Sequence, residues 1–238
     1  MRLLVTRPEP DCRRTAERLR ALGHVADEAP LLRQIDIAPA ELDLENVAAL
    51  AISSRRSVAV LTGHPQIGAL CDLPVFAVGE ATTDAARDAG FGTVLSARGD
   101  VAALARLILD RMEDLGGGRV LYPAAADRAG DLEGLLEAGN VSCRTVAIYR
   151  MDPVPGLPDP VLKALKAAAY DGILIYSKRT AEALARLLRG HRLDHILPKL
   201  TVYALSQRAG APLSNGMRVK VSAAPNENAL LDLALTQC

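Results

Sequence analysis

Ile52-Ser53-Ser54-Arg55-Arg56-Ser57-Val58 and Ile175-Tyr176-Ser177-Lys178-Arg179-Thr180-Ala181 share the pattern I-x-S-[RK]-R-[ST], 123 residues apart. Working outward, Leu4-Val5-Thr6-Arg7-Pro8, a helical stretch and Gly23-His24-Val25 are echoed by Val120-Leu121-Tyr122-Pro123, a helical stretch and Gly139-Asn140-Val141, at an offset of 116. A weaker pair sets Phe76-Ala77-Val78-Gly79-Glu80-Ala81 against Tyr203-Ala204-Leu205-Ser206-Gln207-Arg208. Repetition at this spacing signals two similar domains. A cleft between similar lobes is a usual place for a ligand.

A chain of 238 residues makes one large domain or two of roughly 120. The repeats favour two. Half of the residues are hydrophobic, 24% are charged and the net charge is zero, which describes an ordinary soluble globular protein. With no Trp, two Phe and five Tyr, the cores must be built from Leu, Val, Ile and Ala. A neutral chain poor in aromatics lacks the basic face and stacking surfaces that nucleic acid requires. The opening run from Met1 to Thr6, ended by Arg7, is too short for a signal peptide or a spanning helix, so no membrane partner is expected and the cytoplasm is the default. Cys12, Cys71, Cys143 and Cys238 form no C-x-x-C pair and are expected as reduced thiols. His191 and His195 have i, i+4 spacing, but no third ligand accompanies them and the Glu of H-E-x-x-H is missing; no metal is expected.

Short apolar runs alternate with amphipathic stretches. Strands are expected at 3–6, 47–52, 74–78, 93–95, 119–122, 141–149, 172–176, 200–204 and 219–221. Helices are expected at 11–22, 56–62, 80–89, 101–115, 130–137, 160–168, 180–188, 207–213 and 228–235, with Gly23 and Gly90 as stops. This βαβα rhythm argues for parallel sheets covered on both faces. Two divisions fit it. A tandem pair would break near residue 118. Alternatively, the Pro-rich stretch Met151 to Pro160 and a crossing at 32–42 would bound a central lobe of about 36–152, leaving a second lobe made from both chain ends.

Ligands of open parallel sheets bind beyond the carboxyl ends of the strands. Those ends carry Thr6-Arg7, Ser53-Ser54-Arg55-Arg56, Gly79-Glu80-Ala81-Thr82, Ala124 to Arg128, Ser177-Lys178-Arg179 and Ser206-Gln207-Arg208. Helix N-termini favour anions, and Arg binds carboxylate or phosphate bidentately. A small molecule with several negative charges is the ligand these types imply. The plainer reading makes each Ser a helix N-cap and each basic pair a solvated face; recurrence in both repeats favours the functional one. No G-x-G-x-x-G follows a strand, and no P-loop, G-x-S-x-G elbow or Cys/His pair is present. Chemistry, if any, would rest on binding and positioning, with one acid or base.

Taken in order, Val5-Thr6-Arg7-Pro8, the block at 52–58, Ala77-Val78-Gly79-Glu80-Ala81-Thr82, Leu121-Tyr122-Pro123 through Arg128, 146–149, the block at 175–180 and Ser222-Ala223-Ala224-Pro225 resemble the uroporphyrinogen-III synthase family. The resemblance implies two flavodoxin-like, doubly wound parallel-sheet α/β domains joined by a two-stranded connector. It favours the division into 36–152 and 1–35 plus 153–238. It implies cyclisation of hydroxymethylbilane, which carries eight carboxylates, to uroporphyrinogen III with loss of water and inversion of ring D, without metal or organic cofactor. A monomer is expected, in transient contact with hydroxymethylbilane synthase. The family's candidate proton donor to the leaving hydroxyl is a Tyr at the end of the strand before the return linker, here Tyr149. Family Thr-Ser-Pro segments match Ser53-Ser54-Arg55 and Tyr176-Ser177-Lys178, and Thr82 matches a Thr after the Val-Gly turn. The expected substrate-binding set is Arg7, Ser53, Ser54, Arg55, Arg56, Thr82, Arg128, Ser177, Lys178 and Arg179. Neither block keeps the family Pro, and Ser206-Gln207-Arg208-Ala209 departs from the usual Gly and Thr. A non-catalytic paralogue binding a tetrapyrrole or another polyanion on the same fold stays open. A two-lobed carrier of a small anion is disfavoured by the missing signal sequence.

Overall fold

The computed structural model describes residues 1–111, 113, 116–128 and 130–236, without the side chain of Asp194. The chain opens with β1 (Arg2–Val5), α1 (Asp11–Ala21), β2 (Val25–Glu28) and β3 (Leu32–Asp36). Next come β4 (Val47–Ile52), α2 (Arg55–Thr62), α3 (Ile67–Cys71), β5 (Val75–Ala77), α4 (Glu80–Asp88), β6 (Val94–Ser96), α5 (Val101–Leu109), β7 (Arg119–Ala125), α6 (Leu132–Glu137) and β8 (Cys143–Pro153). The rest is α7 (Asp159–Lys166), β9 (Gly172–Ile175), α8 (Lys178–Gly190), β10 (Thr201–Ala204), α9 (Gln207–Gly210), β11 (Arg218–Val221) and α10 (Glu227–Leu235), with 3₁₀ turns at Asp194–Lys199 and Ala211–Leu213.

The chain divides into a terminal unit, Met1–Gln34 with Asp152–Cys238, and a central unit, Ile35–Met151. The terminal unit holds a five-stranded sheet in the order β11-β10-β9-β1-β2, with every neighbouring pair parallel. The central sheet runs β3-β8-β7-β4-β5-β6. Its β8-β7, β7-β4, β4-β5 and β5-β6 pairs are parallel. The chain passes between units within β3 and within β8. These two strands run antiparallel, because Val154 N donates to Leu31 O at 3.0 Å while Ile37 N donates to Ile148 O at 2.9 Å.

Strand alternation explains the layers. In β4, Ala49 and Ala51 face a core with Phe76, Leu104 and Ile108, while Leu50 and Ile52 face another with Leu61, Leu70 and Ile148. Both faces of the central sheet are therefore buried, as parallel sheets require. The terminal core gathers Leu3, Val5, Leu19, Leu174, Tyr203 and Leu231. Gly23, at φ +82°, closes α1 in the left-handed region where glycine has no Cβ penalty.

Several boundaries differ from expectation. β2 is absent from the sequence reading, since Val25-Ala26-Asp27-Glu28 buries only Ala26 and so lacks an apolar run, and β3 falls in the expected crossing at 32–42, where the resemblance implied a two-stranded connector. The α3 turn is also new. Helix α5 stops at Leu109, not 115, with Asp110 as its C-cap, and Leu115 lies outside the described residues. β8 runs to Pro153 rather than 149 because β3 continues to pair with it. The expected helix at 207–213 is one α turn followed by a 3₁₀ turn, since Pro212 has no N–H to extend the helix. Cys12, Cys71 and Cys143 are free thiols. Cys238 lies outside the described residues. Among the described residues, no helix is long and apolar enough to cross a membrane.

β9 begins at Gly172, where an added Cβ would lie 2.4 Å from Tyr203 Cε2 and 3.1 Å from Leu3 Cδ2. Gly172→Ala is expected to overpack this junction and destabilise the fold by about 1–3 kcal/mol. Urea unfolding checks it; a wild-type midpoint would mean the neighbours yield freely.

Candidate active site

In the central sheet the chain proceeds from β4 outward to β5 and β6, then returns to the other side of β4 with β7. The crevice at the carboxyl ends of β4 and β7 is thus the topological switch point, where open α/β sheets bind ligands. Ser53 follows β4 directly, and its Oγ lies 2.8 Å from the Tyr122 hydroxyl of β7. Ser54, in extended conformation, caps α2 by accepting from Arg56 N at 3.1 Å. Arg55 and Arg56 occupy the first turn of α2; Ser57 behind them is fully buried, and its Oγ has no hydrogen-bond partner among the described residues.

The neighbouring strand ends add three of the expected residues. Thr82, in the first turn of α4, is buried. Beside it, exposed Glu80 pairs with Arg98 at 2.8 Å, and this contact holds its carboxyl below the usual range. Arg128 follows β7, with Nη1 donating to Ala125 O at 3.3 Å. Tyr149 lies inside β8 rather than at its end, yet it pairs with Ala125, the last residue of β7. It is therefore level with the carboxyl edge of the sheet. It is buried, and its carbonyl accepts from Ala126 N at 2.8 Å. No hydrogen bond from its hydroxyl is found among the described residues. Burial pushes the Tyr122 phenol up, while Ser53 and nearby Arg128 act in the opposite direction.

In the terminal sheet the reversal falls between β1 and β9. Thr6 Oγ1 donates to Leu174 O at 2.6 Å and locks these strands together. Arg7 follows. Its guanidinium stacks on the Tyr176 ring, with 4.2 Å to the centroid. Its Nη1 donates to Glu227 Oε1 at 2.8 Å, and its Nη2 lies 3.4 Å from Asp11 Oδ2. Glu227 also accepts from Thr15 and, at 3.1 Å, from the Tyr176 hydroxyl. Burial alone would raise the Glu227 pKa, but the bonds from Thr15 and Tyr176 and the Arg7 charge outweigh it and hold the carboxyl low. Burial first, then Glu227, pushes the Tyr176 phenol up.

Ser177 caps α8, accepting from Thr180 N at 3.2 Å, with its Oγ 2.8 Å from Thr180 Oγ1. Lys178 is exposed and lies 3.5 Å from Glu182. Arg179 stands beside it in the first turn of α8. Ser206 caps the short α9, accepting from Ala209 N at 3.2 Å, so the departure at 206–209 keeps a helix start.

The expected residues thus fall into two groups, one at each switch point. Ser53, Ser54, Arg55, Arg56, Thr82, Arg128 and Tyr149 belong to the central unit, and Arg7, Ser177, Lys178 and Arg179 to the terminal one. Sequence reasoning missed Tyr122, Tyr176, Thr15 and Glu227 as site groups. Tyr122 and Tyr176 stand inside quoted motifs, but no local pattern marks Glu227, which is 220 residues from Arg7. Among the described residues, Glu9, Cys12 and Glu28 bring three possible metal ligands within 4.8 Å of one another. The donor set suits a metal poorly: burial pushes the Cys12 thiol up to about 12, and Glu28 is paired with Arg20 at 2.8 Å.

Fold and site together define a protein of two doubly wound parallel α/β units whose sheets carry hydroxyls, capped helix starts and cations at the carboxyl ends of their strands. The family model for "Uroporphyrinogen-III synthase HemD" matches residues 13–232. The chain belongs to the uroporphyrinogen-III synthase family, the cyclising lyases that make uroporphyrinogen III in haem biosynthesis. No curated protein sequence matches it. Among solved structures, the uroporphyrinogen-III synthetase of Helicobacter pylori 26695 is similar, with a TM-score of 0.67 and 18% identity over 100% of this chain and 99% of that one. A mutant uroporphyrinogen III synthase of the extremely thermophilic bacterium Thermus thermophilus is similar at a TM-score of 0.53 and 16% identity, covering 100% of both chains. At such identities these likenesses establish the fold.

Glu227→Gln keeps the shape of the terminal network and removes its carboxylate charge. A carboxyl whose folded pKa is depressed adds stability above its unfolded value, about 4.3, and loses it as pH falls through the folded value. The variant is therefore expected to unfold at lower urea than wild type at pH 7, with the gap closing below about pH 4.5. A gap that stays constant down to about pH 3 would show that the Glu227 charge is not its source.

Proposed function

We propose that the chain cyclises hydroxymethylbilane by binding and positioning, with Tyr149 as the proton donor to the leaving hydroxyl. The observation that carries this reading is the recurrence of one device at both switch points. In each, a Ser-capped helix start followed by two cations leaves the end of the strand next to the chain reversal. A substrate with eight carboxylates needs several such anion-facing edges. The Ser54 cap uses an oxygen lone pair to hold Arg56 N, which leaves its proton for a carboxylate. Arg55, Arg56, Arg128, Lys178 and Arg179 supply charge to the two edges, and Ser53, Ser54 and Ser177 supply hydroxyls. Arg7 and Thr82 support the edges from behind: Arg7 is already engaged by Glu227 and Asp11, and Thr82 is buried.

In this reading the two units are the two domains. Departure of the hydroxyl as water needs a proton, and Tyr149 stands at the carboxyl edge with its phenol uncommitted to another described residue. The enzyme works as a cytoplasmic monomer. Because hydroxymethylbilane closes unassisted to the uninverted type I ring, transfer from hydroxymethylbilane synthase by transient contact limits that loss.

Freshly prepared hydroxymethylbilane, with type III and type I products resolved by chromatography, tests the assignment. Predominantly type III product is expected; only type I, at the uncatalysed rate with folded protein, would leave a non-catalytic polyanion binder. Tyr149→Phe is expected to lower kcat by about 100-fold, the scale of general-acid help, with KM changed much less. Unchanged turnover would remove Tyr149 from the acid role.

A further inference from the structure

Tyr122 lies within β7, 2% exposed, in the core that also holds Ala51, Phe76 and Ala124. A phenol buried this deeply requires a hydrogen-bond partner. Its partner is Ser53 Oγ at 2.8 Å, a half-buried group at the mouth of the β4/β7 reversal. A phenol is a far better proton donor than an alcohol, and burial keeps this one protonated at neutral pH. The favoured arrangement therefore has Tyr122 donating and Ser53 accepting. The Ser53 proton is then free for a third group, and accepting one hydrogen bond strengthens its own donation. The Arg128 charge lies close enough to act on the Tyr122 phenol.

We propose that Tyr122 is a positioning residue, which by its hydrogen bond to Ser53 fixes the Ser53 hydroxyl as an outward donor to a substrate carboxylate at the central switch point. The proposal rests on the synthase reading above and deepens it. It assigns Tyr122 no contact with substrate. Its effect belongs to binding rather than to the bond-breaking step.

The test is a double-mutant cycle of wild type, Tyr122→Phe, Ser53→Ala and the double variant. Equilibrium binding of uroporphyrinogen III and steady-state turnover of hydroxymethylbilane are measured for each. Losing one hydrogen bond is expected to raise Kd and KM about fivefold in either single variant, with kcat changed far less. The double variant should bind no more weakly than the worse single, because both substitutions remove the same oriented donor. Phe keeps the ring in the core, whereas Ser53→Ala leaves the buried Tyr122 phenol without its partner, so urea unfolding of each variant checks that binding is measured on folded protein. Wild-type Kd in Tyr122→Phe overturns the proposal, as does a loss that multiplies in full on Ser53→Ala or a wild type that does not bind uroporphyrinogen III. Failure of the synthase reading registers separately, as type I product from wild type, and the binding cycle still decides the role of Tyr122.

Discussion

The pairing of β1 with β9 is the constraint on which the molecule depends. Leu3, Leu4 and Val5 lie opposite Gly172, Ile173 and Leu174, joining the two ends of the chain in one parallel sheet. That insertion creates the reversal between β1 and β9, sets Arg7 against Tyr176 and brings Glu227 to both. Closing so long a loop is costly in chain entropy, though the cost grows only logarithmically with length. Burial of Leu3, Leu4, Val5 and Leu174 at zero exposure offsets it. Thr6 then spends its hydroxyl on Leu174 O, so the strand ends carrying the site are pinned rather than frayed.

The two switch points use the same architecture but differ in how their buried groups are paired. In the terminal unit a tyrosine, an arginine and a glutamate satisfy one another, so the charge brought by Arg7 is largely cancelled where it stands. In the central unit the buried pair is neutral, Tyr122 with Ser53, and the cations lie outside it on α2 and after β7. Charge that stays attractive to an anion is therefore carried by helix starts and by exposed side chains such as Lys178. An internally paired arginine supplies rigidity instead, which the proposed positioning mechanism would also need.

The sequence made visible those elements whose signal is local. Val47–Ile52 and Gly172–Ile175 are unbroken aliphatic runs because helices cover both of their faces. β2 was invisible, and β3 legible only as a crossing, because edge strands bury little: Ala26 and Leu32 are their only buried residues. The same division holds for the site. Ser54 and Ser177 were legible because a hydroxyl between a strand and a helix is a capping pattern that recurs. Arg7 was legible as a cation, but its engagement by a glutamate 220 residues away was not. Nor was Tyr122, whose partner is 69 residues distant and whose own neighbours, Leu121 and Pro123, read simply as strand. Local pattern reports backbone needs, whereas side-chain pairing across a sheet depends on topology.

The same distinction bears on how a serine can be structural and functional together. A hydroxyl has two lone pairs and one proton. Capping consumes a lone pair, as Ser54 does for Arg56 N and Ser177 for Thr180 N. Anion binding consumes the proton. For Ser54 the two roles do not compete, and the lone-pair bond restricts where the proton can point; Ser177 Oγ also bonds Thr180 Oγ1, which engages its proton or its second lone pair. A serine that starts a helix at a sheet reversal can therefore cap that helix and still have its proton available, as the proposed function asks of Ser54. The helix it starts adds its own N-terminal field at the same spot. Duplicated in two units, this arrangement is what the proposed function relies on for a neutral, aromatic-poor chain to hold a polyanion without a basic surface.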